Sequence, residues 1–234
     1  MAQQALLFTL FPLGALILGA LVTSAWKPSP ALRGSIQHFA AGVVFAAAAA
    51  EILPDLKHGT GSTLAVVIGA LVGIAAMLAI KLADERWEGP LGLAITTGVD
   101  LLVDGLVLGI SFIAGARQGI LLTIALTLEV LFLGLTLVGA FAKSMPRRRA
   151  VVTTAAIGLA LPLGALVGGP VATLPGSLQT GFYAFGLIAL LYLVTEELLV
   201  EAHEEGKEGP FVTSMFFFGF LAILVIDELI RSGS

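Results

Sequence analysis

"AITTGVDLLVDGLVLGISFIAGARQGILLTIALTLEVLFLGLTLVGAF", residues 94–141, consists of two long apolar runs on either side of a short turn, "GARQ" at 115–118. A helix rises 1.5 Å per residue, so roughly 20 residues cross a hydrocarbon layer about 30 Å thick. Each run is long enough, and the pair reads as a transmembrane hairpin. Three acids interrupt it: Asp100 and Asp104 in the first run and Glu129 in the second.

The rest of the chain has the same character. Of 234 residues, 58% are hydrophobic and 12% charged, with a mean hydropathy of +1.03. Soluble domains carry about 25% charged residues, so composition indicates an all-α integral membrane protein. Eight spans are predicted, at about 4–24, 36–54, 62–81, 91–115, 118–141, 150–171, 179–200 and 210–230, in a single transmembrane domain covering 1–234. The first ends in "TSA" like a cleaved leader, but it has no basic start and is long enough to span, so it reads as a membrane helix. With no cysteine there is neither a disulfide framework nor a thiolate site. A net charge of −4 gives no reason to expect nucleic acid as a partner.

Charge gives the expected orientation. Loops on one side carry Lys27, Arg33, Lys81, Arg86, Lys143, Arg147, Arg148, Arg149 and Lys207, against Lys57, Arg117 and Arg231 on the other. The positive-inside rule puts the first side in the cytoplasm and both termini outside, in a plasma (inner) membrane. Trp26 and Trp87 fall at that cytoplasmic interface. "MPRRRA" (145–150) reads as a solvated loop that helps set orientation.

Asp100 and Asp104 stand i, i+4 and share one helix face. Counted from the "GARQ" turn, Asp104 and Glu129 both lie about 16 Å from the membrane surface, with Asp100 one turn deeper. An ionised Asp at a helix centre costs roughly 2.5–3.5 kcal/mol, and repulsion among three adds to that. No Lys, Arg or His occupies that depth in any span. Three protonated acids acting as hydrogen-bonded glue would account for the cluster; a cation held by oxygen ligands accounts for it better.

Further acids and histidines sit near span ends. Glu51 precedes Pro54 at the outer end of the second span, and Glu196 and Glu197 lie near the inner end of the seventh. "HFAAGVVFAAAAAEILPDL" (38–56) and "LLYLVTEELLVEAHEEG" (190–206) share an order of apolar run, Glu, aliphatics, acid and His, which suits an inverted-topology repeat. His38, His58 and His203 read as solvated or loosely structural. The abundance of glycine, 28 residues, reports close helix packing.

These two segments resemble the second and seventh helices of ZIP (Zrt/Irt-like) metal transporters, and the layout of eight helices with both ends outside resembles that family along the whole chain. The fourth-helix family motif His-Asn-x-Pro-Glu-Gly is similar to "DLLVDG", with Asp100 in place of His, Leu101 of Asn, Val103 of Pro and Asp104 of Glu. In the fifth helix "ALTLEV" puts Glu129 on the family's final Glu, with Ala125 and Leu126 at the preceding polar positions. The resemblance implies a homodimeric carrier of zinc, manganese, iron or cadmium toward the cytoplasm, with no cofactor beyond the transported ion.

On that basis Asp100, Asp104 and Glu129 are expected to hold one metal rather than a pair. An all-oxygen set favours harder cations such as manganese more than an imidazole site does. With proline absent from both motifs, Gly98 and Gly105 are expected to supply bending. Glu51 is the candidate for the outer mouth, and Glu196, Glu197 and His203 for inward release. Helices 1–3 and 6–8 would rock around helices four and five by alternating access. A transporter is thus expected, not an enzyme. Two alternatives compete: a proton-coupled carrier of another small cation or solute, and an intramembrane aspartyl protease. The latter draws its two acids from different helices, unlike Asp100 and Asp104.

Overall fold

A computed structural model describes residues 2–26, 29–53, 56, 62–87, 89–205 and 209–232, and among them every regular element is helical. In chain order these are α1 (Gln3–Thr23), α2 (Pro30–Ala47), α3 (Thr63–Arg86), α4 (Pro90–Ala114), α5 (Ala116–Phe141), α6 (Arg147–Thr173), α7 (Gly176–His203) and α8 (Pro210–Ser232). Seven of them, all but α2, are long and apolar enough to cross a membrane. The integral-membrane class therefore stands, with seven candidate spans among the described residues. α2, expected as an eighth, packs against α5, α7 and α8, and the end of its expected span, 36–54, lies outside the described residues.

Several helix ends differ from expectation. α2 starts at Pro30 rather than near 36, because the Ser29 side chain accepts from the Leu32 amide at 3.3 Å and proline fits the first turn. α3 runs on to Arg86, so Lys81, Asp84 and Glu85 are helical. Arg147, Arg148 and Arg149 form the exposed first turn of α6 rather than a loop, and Arg147 donates to the Thr23 carbonyl at 2.9 Å. α1 is interrupted at Thr9 and α6 at Gly158–Leu159. In each case a proline (Pro12, Pro162) lies just beyond and cannot donate to the carbonyl of Phe8 or Gly158.

The helices pack in pairs: α1 on α5, α4 on α6, α2 on α8 and α3 on α7. Successive helices reverse direction across short connections, so both members of each pair run the same way. Three pairs are closed by the same reciprocal contact. Gly19 of α1 lies against the Leu131 carbonyl of α5, and Gly134 against that of Leu16. Gly105 of α4 abuts the Leu161 carbonyl of α6, and Gly164 that of Leu102; Gly42 of α2 and Gly219 of α8 meet the carbonyls of Phe216 and Phe39. In every case the carbonyl belongs to the residue three before the partner glycine, and a Cβ would collide with it. Backbones brought this close gain dispersion contacts where the hydrophobic effect offers no driving force between helices.

The α1 and α6 glycines lie in near-identical segments, "ALILGALV" (15–22) and "ALPLGALV" (160–167), which differ only at Ile17 against Pro162. Hydrophobic-span reading passes over this match. α4 is a continuous helix in which Gly105 serves close packing against α6, not the bending expected of it; Gly98, by contrast, has only the Ile157 side chain near it, at 3.8 Å.

Candidate functional site

Asp100 and Asp104 project one turn apart from α4, and Glu129 faces them from α5. One carboxylate oxygen from each lies within 4.8 Å of the others. Asp104 and Glu129 are 4% and 3% exposed, and Asp100 is half-buried. Asp104 Oδ2 and Glu129 Oε2 are fully buried without a hydrogen-bond partner. Burying an unpaired polar atom is costly, and more so for a charge. The three acids that sequence reading grouped are thus brought together.

The glycine contacts also give a way of matching α4 to α5. Gly105 meets α6 as Gly134 meets α1, and each glycine follows an acid by five residues, Asp100 and Glu129. Glu129 is therefore the counterpart of Asp100, and Leu133 that of Asp104, whereas matching by depth alone pairs Glu129 with Asp104.

A cavity of about 420 Å³ leads to this cluster from the end of the bundle where α3 and α7 finish and α4 begins. Asp100 forms part of its wall, together with Asp84, Glu85, Thr96, Glu197 and Glu201. Thr96 donates to Asp84 at 2.8 Å. Beyond Asp100, a second space of about 30 Å³, room for a water or a bare ion, is lined by Asp100, Glu129, Glu197 and Glu201. A scan against protein-family models finds no match to this chain, and a search of curated proteins finds none either.

The flanking candidates separate into two groups. α7 contains a π-helical turn at Leu193–Leu198, and π turns recur at functional sites because the extra residue re-aims side chains. Within it Glu197 faces the small cavity, while Glu196 is exposed and accepts from Lys81 Nζ at 2.9 Å. His203 also lies at the vestibule end, its Nδ1 against the Leu199 carbonyl and its ring 5.2 Å from that of His38. Of the two expected readings, solvated or loosely structural, His38 fits the structural one: it is 3% exposed, with Nδ1 2.9 Å from the Gly34 carbonyl. α2 continues into a π turn, Ala48–Ile52, that contains Glu51. The Glu51 side chain, Pro54 and His58 lie outside the described residues.

Sequence reading misses the vestibule acids Asp84, Glu85 and Glu201, which it groups with polar connections. It also misses Asp227 of α8, 7% exposed, which is bound by the Arg117 guanidinium at the opposite end of the bundle. Both are obscured by the same signal, since a charge near the end of an apolar run looks interfacial.

Proposed function

We propose that this chain is a transporter of divalent metal cations, with Asp100, Asp104 and Glu129 as its central ligands. The observation that carries the reading is the convergence of three carboxylates, two of them with buried, unpartnered oxygens, in the middle of apolar helices. Mutually hydrogen-bonded acids acting as glue would satisfy those oxygens with one another; a cation satisfies all three groups at once. The all-oxygen set suits manganese and other hard cations, and carboxylates also bind zinc at about 2.0–2.2 Å.

The vestibule gives such an ion a hydrated route. Its acids form a field of one sign within low-dielectric walls, which concentrates cations. An ion leaving Asp104 and Glu129 passes to Asp100 and Glu197, then to Glu201, Asp84 and Glu85. The positive-inside rule places this end in the cytoplasm. Two inverted repeats, α1–α3 and α6–α8, around α4 and α5 would let the site face either side in turn. The repeat reading is supported by the match of "ALILGALV" to "ALPLGALV" and by the π turns in α2 and α7. The reciprocal glycine contacts of α1 with α5 and of α6 with α4 support it too. A homodimer in the plasma membrane completes the proposal.

The test is metal-dependent thermal stability of the purified protein across manganese, zinc, iron, cadmium and magnesium. A metal at about 100 times its dissociation constant stabilises a protein that binds it only when folded by roughly 2.7 kcal/mol. Stabilisation by at least one divalent ion, lost in Asp104→Ala, is expected. No shift with any metal would remove the proposal.

A further inference from the structure

At the end remote from the vestibule, Arg117, in the first turn of α5, holds Asp227 of α8 through both its Nε and Nη2 atoms. Asp227 is 7% exposed and is approached from its own helix by Arg231 Nε, 3.6 Å from Oδ2. α8 otherwise leans on α2, and its contact with α5 is slight. The ion pair is thus a polar tie between α8 and the α4–α5 hairpin across an otherwise slight contact.

The packing register shows what lies beneath it. With Gly105 matched to Gly134, the vestibule-lining Ala140 of α5 corresponds to Ser111 of α4, and Thr96 of α4 to Ala125 of α5. With the α7 carbonyl of Phe185 near Gly73 matched to that of Phe39 near Gly219, Lys81 corresponds to Asp227. Ser111 and Ala125 are 3% and 0% exposed; their counterparts Ala140 and Thr96 line the vestibule, Ala140 partly exposed and Thr96 buried at 6%. Among the described residues one end is open and its counterpart is closely packed, with Asp227 standing over the packed end where Lys81 stands over the open one.

We infer that the Arg117–Asp227 ion pair is the latch that keeps the far end closed, and that its release opens a second vestibule between Ser111 and Ala125 while the first one closes. This rests on the alternating-access reading and adds to it the residues that hold one state. A half-buried pair of this kind suits a latch, because removing one partner leaves a charge unpaired and the closed end loses stability sharply. Moving α8 away returns both groups to water.

The chain has no cysteine, so an introduced thiol is the sole target for a water-soluble maleimide. Ser111→Cys and Ala140→Cys report the two ends in protein held in nanodiscs, with no metal present. In the parent, Ala140→Cys is expected to react quickly and Ser111→Cys slowly. Adding Asp227→Asn should raise the Ser111→Cys rate at least about tenfold and lower that of Ala140→Cys, while Asp227→Glu should restore the parent pattern. Rates unchanged by Asp227→Asn, or raised at both positions as general loosening would do, overturn the latch. Reversed labelling in a protein that no metal stabilises would leave the latch standing and remove the metal reading; metal stabilisation with unchanged labelling would do the opposite.

Discussion

At the vestibule end, α3, α4, α5 and α7 part around about 420 Å³ of space rimmed with Asp84, Glu85, Glu197 and Glu201. At the Arg117 end, α4 and α5 are filled by Val107, Leu108, Leu121, Leu122 and Leu126, none more than 2% exposed. The same two helices, α4 and α5, contribute to both ends. The side chains differ: threonines and acids line the first half, and close-packed aliphatics fill the second. Asp100, Asp104 and Glu129 stand at the boundary, and of the three Asp100 lines the larger cavity.

The contrast between the halves breaks most completely if the boundary acids prove dispensable. Asp104→Ala should abolish saturable divalent-metal uptake into proteoliposomes, a loss of at least about 100-fold, since even groups that only support a ligand change affinity 10–100-fold. Wild-type uptake by this variant would leave the open half as an unused cavity.

Next in size is a test of the packed half. Gly105→Leu drives a side chain into the Leu161 backbone carbonyl, and overpacking of this kind costs about 1–3 kcal/mol or more. Gly139→Leu, where nothing lies within 4 Å, serves as the reference. Thermal unfolding should drop for the first and hold for the second; equal melting would show that the α4–α6 contact is loose.

Acidity sharpens the contrast at the boundary itself. Carboxylates bind metal only when deprotonated, so protons compete directly. Apparent metal affinity, measured by titration at fixed ionic strength, should therefore weaken as pH falls from about 7 to 5, by up to about tenfold per unit for each proton displaced. An affinity flat across that range would mean that carboxylates are not the ligands.

The smallest effect is expected at the rim. Lys81 and Glu196 are both nearly half-exposed, 45% and 44%, and exposed pairs contribute little. Lys81→Ala should change uptake by no more than about twofold. A collapse of transport in Lys81→Ala would place a second latch at the vestibule.

Membrane class, seven of the eight expected spans and the grouping of the three central acids were legible in the chain, because twenty-residue apolar runs and unpaired acids at their centres are physical signals independent of neighbours. Helix ends were less so. Ser29 and Pro30 start α2 early, and Arg147 begins a helix where charge alone suggests a loop. The internal match of 15–22 to 160–167 was also written in the chain, but span counting treats any two apolar stretches alike.

By itself, then, the sequence determined how much of this protein avoids water and where a charge would be stranded, since both depend on the residues of one helix at a time. Only the tertiary structure decided that Glu129 and Asp100 line one small cavity, that Asp84 and Glu201 face one vestibule, and that Arg117 reaches Asp227. Those relations depend on which helices touch and at what height. The glycine contacts fix that height, and they exist only between two backbones.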